Sequence, residues 1–107
     1  MTELSRLSPL NIEDDILRSY LFAAVLDYVE DESNREILEY ELRQDEAYRR
    51  DLAAYRVYGS AELRWVFSVV TNVEDEADPL PVGTVLRLPP AAWLRETIRH
   101  FAEEGGL

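Results

Sequence analysis

Two acidic clusters are the first places in this sequence to look for chemistry. Glu74, Asp75, Glu76 and Asp78 form one, and Asp27, Glu30, Asp31 and Glu32 form the other. Carboxylates at such spacing suggest a cation site first and acid–base hydrolysis second. A calcium loop needs alternating oxygen ligands, a glycine at its sixth position and a distal glutamate, and neither cluster has that frame. A glycosidase needs two carboxyls opposed across a sugar-sized cleft, which is hard to build in a chain of 107 residues. His100, the sole histidine, stands beside Phe101 near the end of the chain and reads as a surface residue rather than a proton carrier. The sequence contains no Cys, which excludes disulfides, thiolate nucleophiles and thiolate-bound metals. It has no glycine-rich phosphate loop and no nucleophile elbow. The expectation is a chain that is not an enzyme and takes no metal and no cofactor. Its acidic clusters are then solvated charge, or rim charges that steer a partner rich in arginine.

Charge narrows the partners further. Asp and Glu number 22 against 11 basic residues, for a formal net charge of -11. A field of that sign repels phosphate backbones and anionic lipid surfaces, so neither nucleic acid nor membrane is expected as a partner. All 11 basic residues are Arg. Arginine suits interface ion pairs, although the coding bias of a GC-rich genome explains the same count. Hydrophobic residues make up 47%, enough for a folded core and too many for a disordered chain. The longest apolar run, Leu21 to Leu26, falls far short of the roughly 20 residues a helical span requires. The first 30 residues lack the basic and apolar regions of a secretory signal.

The elements that must position these residues follow from periodicity. Residues 1 to 11 are polar and read as an arm, with Asn11 as an N-cap and Glu13, Asp14 and Asp15 in the first turn of a helix. That helix runs over 12 to 30. Leu17, Tyr20, Leu21, Ala24, Val25 and Tyr28 recur at helical steps, and Ile16, Phe22, Leu26 and Val29 add apolar surface on other faces. A helix apolar over so much of its circumference needs more than one neighbour, either within the chain or from another subunit. In 36 to 42, Leu38, Tyr40 and Leu42 alternate with Glu39 and Glu41, which is strand-like, while the Glu and Leu content also permits helix. Residues 46 to 58 read as a helix with Tyr48, Leu52, Tyr55 and Val57 on one face and Arg49, Arg50, Asp51 and Arg56 outside it. Gly59 fits its C-cap. Ser60 can cap a second helix, in which Leu63, Val66, Phe67 and Val70 repeat through Asn72. The acidic loop from Val73 closes at Pro79 and Pro81. Val82-Gly83 marks a turn, and Thr84 to Leu88 is a strand ended by Pro89-Pro90. A last helix, 91 to 104, carries Trp93, Leu94, Ile98 and Phe101 as its stripe.

The order from residue 36, strand, helix, helix, strand, is the order of the LysM fold. Asp51-Leu52-Ala53-Ala54-Tyr55-Arg56-Val57-Tyr58-Gly59 resembles the first helix and turn of LysM-like baseplate proteins of contractile phage tails. Leu63-Arg64-Trp65-Val66-Phe67, followed by Asn72, is similar to their second helix. Asp78 through Pro89, with its Pro-x-Pro-Val-Gly-Thr order, is similar to their return strand. The resemblance covers about half of the chain; residues 1 to 35 and 90 to 107 lie outside it as an N-terminal arm with its helix and a C-terminal helix. It implies an α+β fold: a LysM-like β-α-α-β module with a two-stranded antiparallel sheet, flanked by those helices.

The resemblance also implies a wedge or hub-adjacent structural component of a virion tail baseplate, made in the host cytoplasm. Such a protein would act through other baseplate or tail proteins, in several copies per particle. The residues expected to make the fold or its interfaces are Tyr20, Tyr28, Tyr55, Tyr58, Gly59, Trp65, Asn72, Pro81, Gly83 and Trp93. Gly59 and Gly83 suit positive φ or a tight turn. Trp65 is large enough to anchor the helix pair to the sheet, Asn72 can close the second helix, and Pro79 and Pro81 stiffen the return loop. The flanking helices would supply the apolar surface that grips other chains.

Two other readings stand beside this one. A glycan-binding LysM module would recognise N-acetylglucosamine polymers such as peptidoglycan or chitin. Its first loop usually carries a Gly-Asp-Thr-like turn, whereas Arg43-Gln44-Asp45-Glu46 stands here without a glycine, so glycan binding is disfavoured. An acidic inhibitor or nucleic-acid mimic rests on net charge alone.

Overall fold

The computed structural model describes residues 15 to 104, so the expected arm, the cap at Asn11 and the first-turn residues Glu13 and Asp14 lie outside the described residues. The chain has an α+β fold with four helices and one two-stranded antiparallel sheet. In order, α1 is Asp15–Glu30, β1 Leu38–Glu41, α2 Arg50–Tyr58, α3 Arg64–Thr71, β2 Val85–Leu88 and α4 Ala91–Glu104.

The open choice at residues 36 to 42 falls to strand. Leu38 pairs with Leu88, Glu39 with Arg87, Tyr40 with Leu86 and Glu41 with Val85. Directly opposed residues share a face, so Leu88, Leu86 and Tyr40 turn together toward the core. Pairing continues past the strand ends. The Leu42 N–H donates to the Thr84 carbonyl at 3.0 Å, and the Gly83 N–H donates to the Leu42 carbonyl at 2.8 Å. Gly83 makes this turn with φ +82°, a conformation a side chain at Cβ resists.

The helix pair is shorter than its apolar periodicity predicts. The first helix does not begin at Glu46. Gln44–Glu46 forms a 3-10 turn, and α2 starts at Arg50. Its buried face is also not the predicted one. Tyr48 and Tyr55 are each 64% exposed, while Arg50, at 2%, lies inside with Ala53 and Ala54. The alanines explain the reversal, because a helix can approach its neighbours closely only along a strip of small side chains. Gly59 ends α2 at φ +74°, its N–H donating to the Tyr55 carbonyl at 2.8 Å. Ser60 accepts from the Glu62 N–H at 3.3 Å and opens a 3-10 turn, Ala61–Leu63, that leads into α3. Asn72 ends α3 at φ +58°, through its left-handed backbone. Leu63, Val66 and Phe67 are buried as the helical period requires.

The flanking helices are part of the same core. α1 buries Leu21, Val25 and Val29, at steps of four. Val25 joins Leu42, Phe67, Leu86, Leu88 and Leu94 in the main cluster, and Leu21 packs with Ile98 of α4 in a smaller one. Tyr28 stacks on Trp93 with ring centres 4.3 Å apart. α1 has no basic residue in its last turn. Arg87 of β2 supplies the missing charge, donating from Nε to the Val29 carbonyl at 2.7 Å and from Nη2 to the Asp31 carbonyl at 3.0 Å. The sequence-based expectation that these helices are held for other chains therefore applies only to what they leave outside, chiefly Ile16 and Tyr20.

Candidate interaction surface

The polar interior is a set of ties. Glu46 is fully buried. Its Oε1 accepts the Arg43 N–H at 2.7 Å, and its Oε2 accepts from Arg56 Nη1 at 3.0 Å and from the Tyr40 hydroxyl. Arg56 also grips Asp45 with both arms of its guanidinium, at 2.9 and 2.8 Å, the bidentate geometry that suits arginine. The hydrogen bond from Arg56 holds the Asp45 carboxyl below its ordinary pKa. Burial, followed by the bond to Glu46, raises the Tyr40 phenol. Tyr58 is raised further by burial alone, and its hydroxyl donates to the Pro89 carbonyl at 2.8 Å. Both hydroxyls donate inward, Tyr40 to Glu46 and Tyr58 to the backbone before α4.

The acidic clusters make turns. Asp31 Oδ1 accepts from the Ser33 hydroxyl at 2.6 Å and the Ser33 N–H at 3.0 Å, and these bonds hold its carboxyl below the ordinary value. Asp75 Oδ1 accepts the Ala77 N–H at 2.9 Å, an Asx turn. Glu76 faces Arg64 at 3.6 Å. Among the described residues no group of three or more His, Cys, Asp or Glu side chains is placed to hold a metal ion. His100 packs edge-on against Phe101 on α4, with ring centres 5.4 Å apart.

Among the described residues the fold leaves apolar surface open. α1 and α3 do not close on each other along one edge. Phe22 and Leu26 of α1 and Trp65 and Val69 of α3 floor a groove of about 550 Å³, with Arg64, Asn72, Glu74 and Glu76 at its mouth. A second hollow, of about 400 Å³, shares Leu26 with the first and is lined by Val29, Val70, Val85 and Leu86, with Glu30, Glu32 and Arg87 around it. Val85 is 54% exposed there. Volumes of this size hold a few side chains of a partner.

The expected fold and interface residues separate into two groups. Tyr28, Tyr58, Gly59, Asn72, Pro81, Gly83 and Trp93 make internal ties or turns, whereas Tyr20 and Tyr55 face outward. Trp65 was expected against the sheet. Its ring packs on the main cluster, which includes Leu86 and Leu88 of the sheet, and also stands 5.6 Å from Phe22, so it fastens α1 to the helix pair as well. Sequence reasoning passed over Glu46, Arg50 and Arg87. The only signal for Arg50 was its place one turn before Ala53-Ala54; the other two are read only from contacts across the fold. No helix of the described residues is long and apolar enough to cross a membrane. The chain matches no protein-family model, no curated protein and no solved structure.

Proposed function

We propose that this chain is a structural subunit of a contractile-tail baseplate or a related injection particle, wedge or hub-adjacent, that works by protein–protein assembly. In this reading β1, α2, α3 and β2 form a LysM-like module. The observation that carries it is the antiparallel pairing of Leu38–Glu41 with Val85–Leu88 on either side of a helix pair. Three left-handed positions, Gly59, Asn72 and Gly83, fall in the segments on which the resemblance rests and support it further. The inward-facing charged groups act as ties, which suits a part that is built in rather than one that turns over a substrate.

The glycan-binding alternative is disfavoured by Arg43-Gln44-Asp45-Glu46, which lacks the glycine such a first loop usually carries. Glycan-binding modules use the loop after the first strand and the loop before the second. Here the Leu80 N–H donates to the Ala47 carbonyl at 2.7 Å, and Arg50 Nη2 donates to the Val73 and Asp75 carbonyls at 2.9 and 3.2 Å. Those contacts join the loop before β2 to the segment that follows β1 and to the start of α2.

The test is an epitope-tagged copy expressed from its own locus, followed by gradient sedimentation of the particles that the cells produce. The tagged chain is expected in the sheath-bearing fraction, and deletion is expected to leave filled heads beside tails without baseplates. A chain that stays at the top of the gradient while deletion leaves normal particles would remove the proposal. Firm retention on peptidoglycan or chitin would move it to the glycan module.

A further inference from the structure

We infer that the groove between α1 and α3 takes a short amphipathic helix of a partner protein, with two apolar residues one turn apart against its floor and arginines or lysines at both ends. The floor sets the length. Phe22, Leu26 and Val29 follow one another at helical steps along α1 and span about 10 Å of its axis, which two turns of a partner helix match. The walls set the conformation. Around Phe22, Leu26, Trp65 and Val69 they are made by side chains of two helices whose own backbone groups are paired, so an extended peptide lying there would bury N–H and C=O groups with nothing to bond. A helix satisfies its own backbone and adds a third member to the α1–α3 packing.

Charge sets the ends. Of the two cations at the rim, Arg64 faces Glu76 at 3.6 Å and Arg87 is tied to the Val29 and Asp31 carbonyls. The carboxylates left for a partner are Glu74 in the first hollow and Glu30 and Glu32 in the second. The chain's own N-terminal segment sets Leu4, Leu7, Leu10 and Ile12 among its polar residues, but it carries Glu3, Glu13 and Asp14 against Arg6 alone and so has the wrong sign. This inference shares with the assembly proposal only the premise that the chain binds protein. Loss of particle association would leave peptide binding intact, and loss of peptide binding would leave another face to carry the association.

The experiment is a titration of the isotope-labelled full chain, followed by amide NMR, with a designed peptide of about 14 residues, or four turns. The peptide carries two leucines one turn apart and arginines at both ends. Its controls have glutamates at the ends or serines in place of the leucines. The expected result is shifts centred on Phe22, Leu26, Trp65, Val69 and Val85, about tenfold tighter binding of the arginine-ended peptide than of the glutamate-ended one at low salt, and no binding of the serine control. The double variant Glu30→Arg with Glu74→Arg alters only exposed positions and should reverse the preference between ends.

Absence of shifts, shifts centred on Tyr48 and Tyr55, or equal affinity for both peptide ends would overturn the inference. The sequence contains no Cys, so Ser5→Cys offers a single site for a nitroxide. Broadening of Phe22 and Trp65 in the free chain would show that the N-terminal segment fills the groove, and would likewise overturn it.

Discussion

Glu46 and Arg50 lie one helical turn apart in sequence, both enclosed, and the protein surrounds them differently. Glu46 has an acceptor bond to a backbone N–H, one to a hydroxyl and one to a guanidinium. Arg50 has two bonds, both from Nη2 to carbonyls, while its Nε and Nη1 are enclosed without a protein partner. A hydrogen bond to a charged group contributes about 1.5–3 kcal/mol, and an enclosed donor left unmade costs about 1–3 kcal/mol. The terms reinforce each other around Glu46 and nearly cancel around Arg50. The difference teaches that burial of a charge says little about its worth until each of its atoms has been followed to a partner.

The contrast breaks most visibly at Glu46. Glu46→Ala leaves the Arg43 N–H and the Tyr40 hydroxyl without their acceptor, and the expected loss is about 3 kcal/mol. Urea unfolding followed by circular dichroism measures it, and a loss below about 1 kcal/mol would erase the distinction between the two regions. Arg50→Met keeps the volume and removes both the bonds and the orphaned donors. Stability should stay within about 1 kcal/mol of the parent chain, while amide exchange quickens around Ala77 and Asp78. A loss as large as that of Glu46→Ala would show that the buried guanidinium is fully satisfied after all.

The smallest effect is a pH dependence. The Asp45 carboxyl is depressed by Arg56. Its contribution is therefore complete above the ordinary carboxylate value of about 3.9 and is lost as the pH falls through the lower folded value. Between about pH 4 and pH 2, thermal unfolding of the parent chain should fall more steeply than that of Asp45→Asn. Arg50→Met should run parallel to the parent, since carbonyl acceptors do not titrate. Parallel curves for the parent and Asp45→Asn would show that the Arg56 fork does no work in the folded chain.

The features legible in the sequence are those written in local chemistry. Gly59 and Gly83 mark left-handed turns because only glycine accepts them freely, and Pro89-Pro90 ends β2 because proline cannot extend a ladder. Leu63, Val66 and Phe67 repeat at the helical period and are buried. What was not legible depends on partners distant in sequence. Tyr48, Leu52 and Tyr55 gave α2 an amphipathic look, but close packing selected Ala53 and Ala54 and turned the tyrosines outward. Glu46 has no serine or threonine before it to announce a capping box, and its role appears only once Tyr40 and Arg56 converge on it. The groove was illegible for the same reason: Leu26 and Val85 become neighbours only after α1 lies beside β2.

Arg87 carries a consequence for how the chain comes into being. The carbonyls that finish α1 are bonded by a side chain 58 and 56 residues further on, and Leu21 rests on Ile98, close to the other end of the described chain. A helix shorter than about 12–15 residues is marginal in water, and even a longer one owes most of its stability to the face it buries. Until β2 has paired, the Val29 and Asp31 carbonyls have only water to bond, so the last turn of α1 and the sheet stabilise each other rather than forming independently.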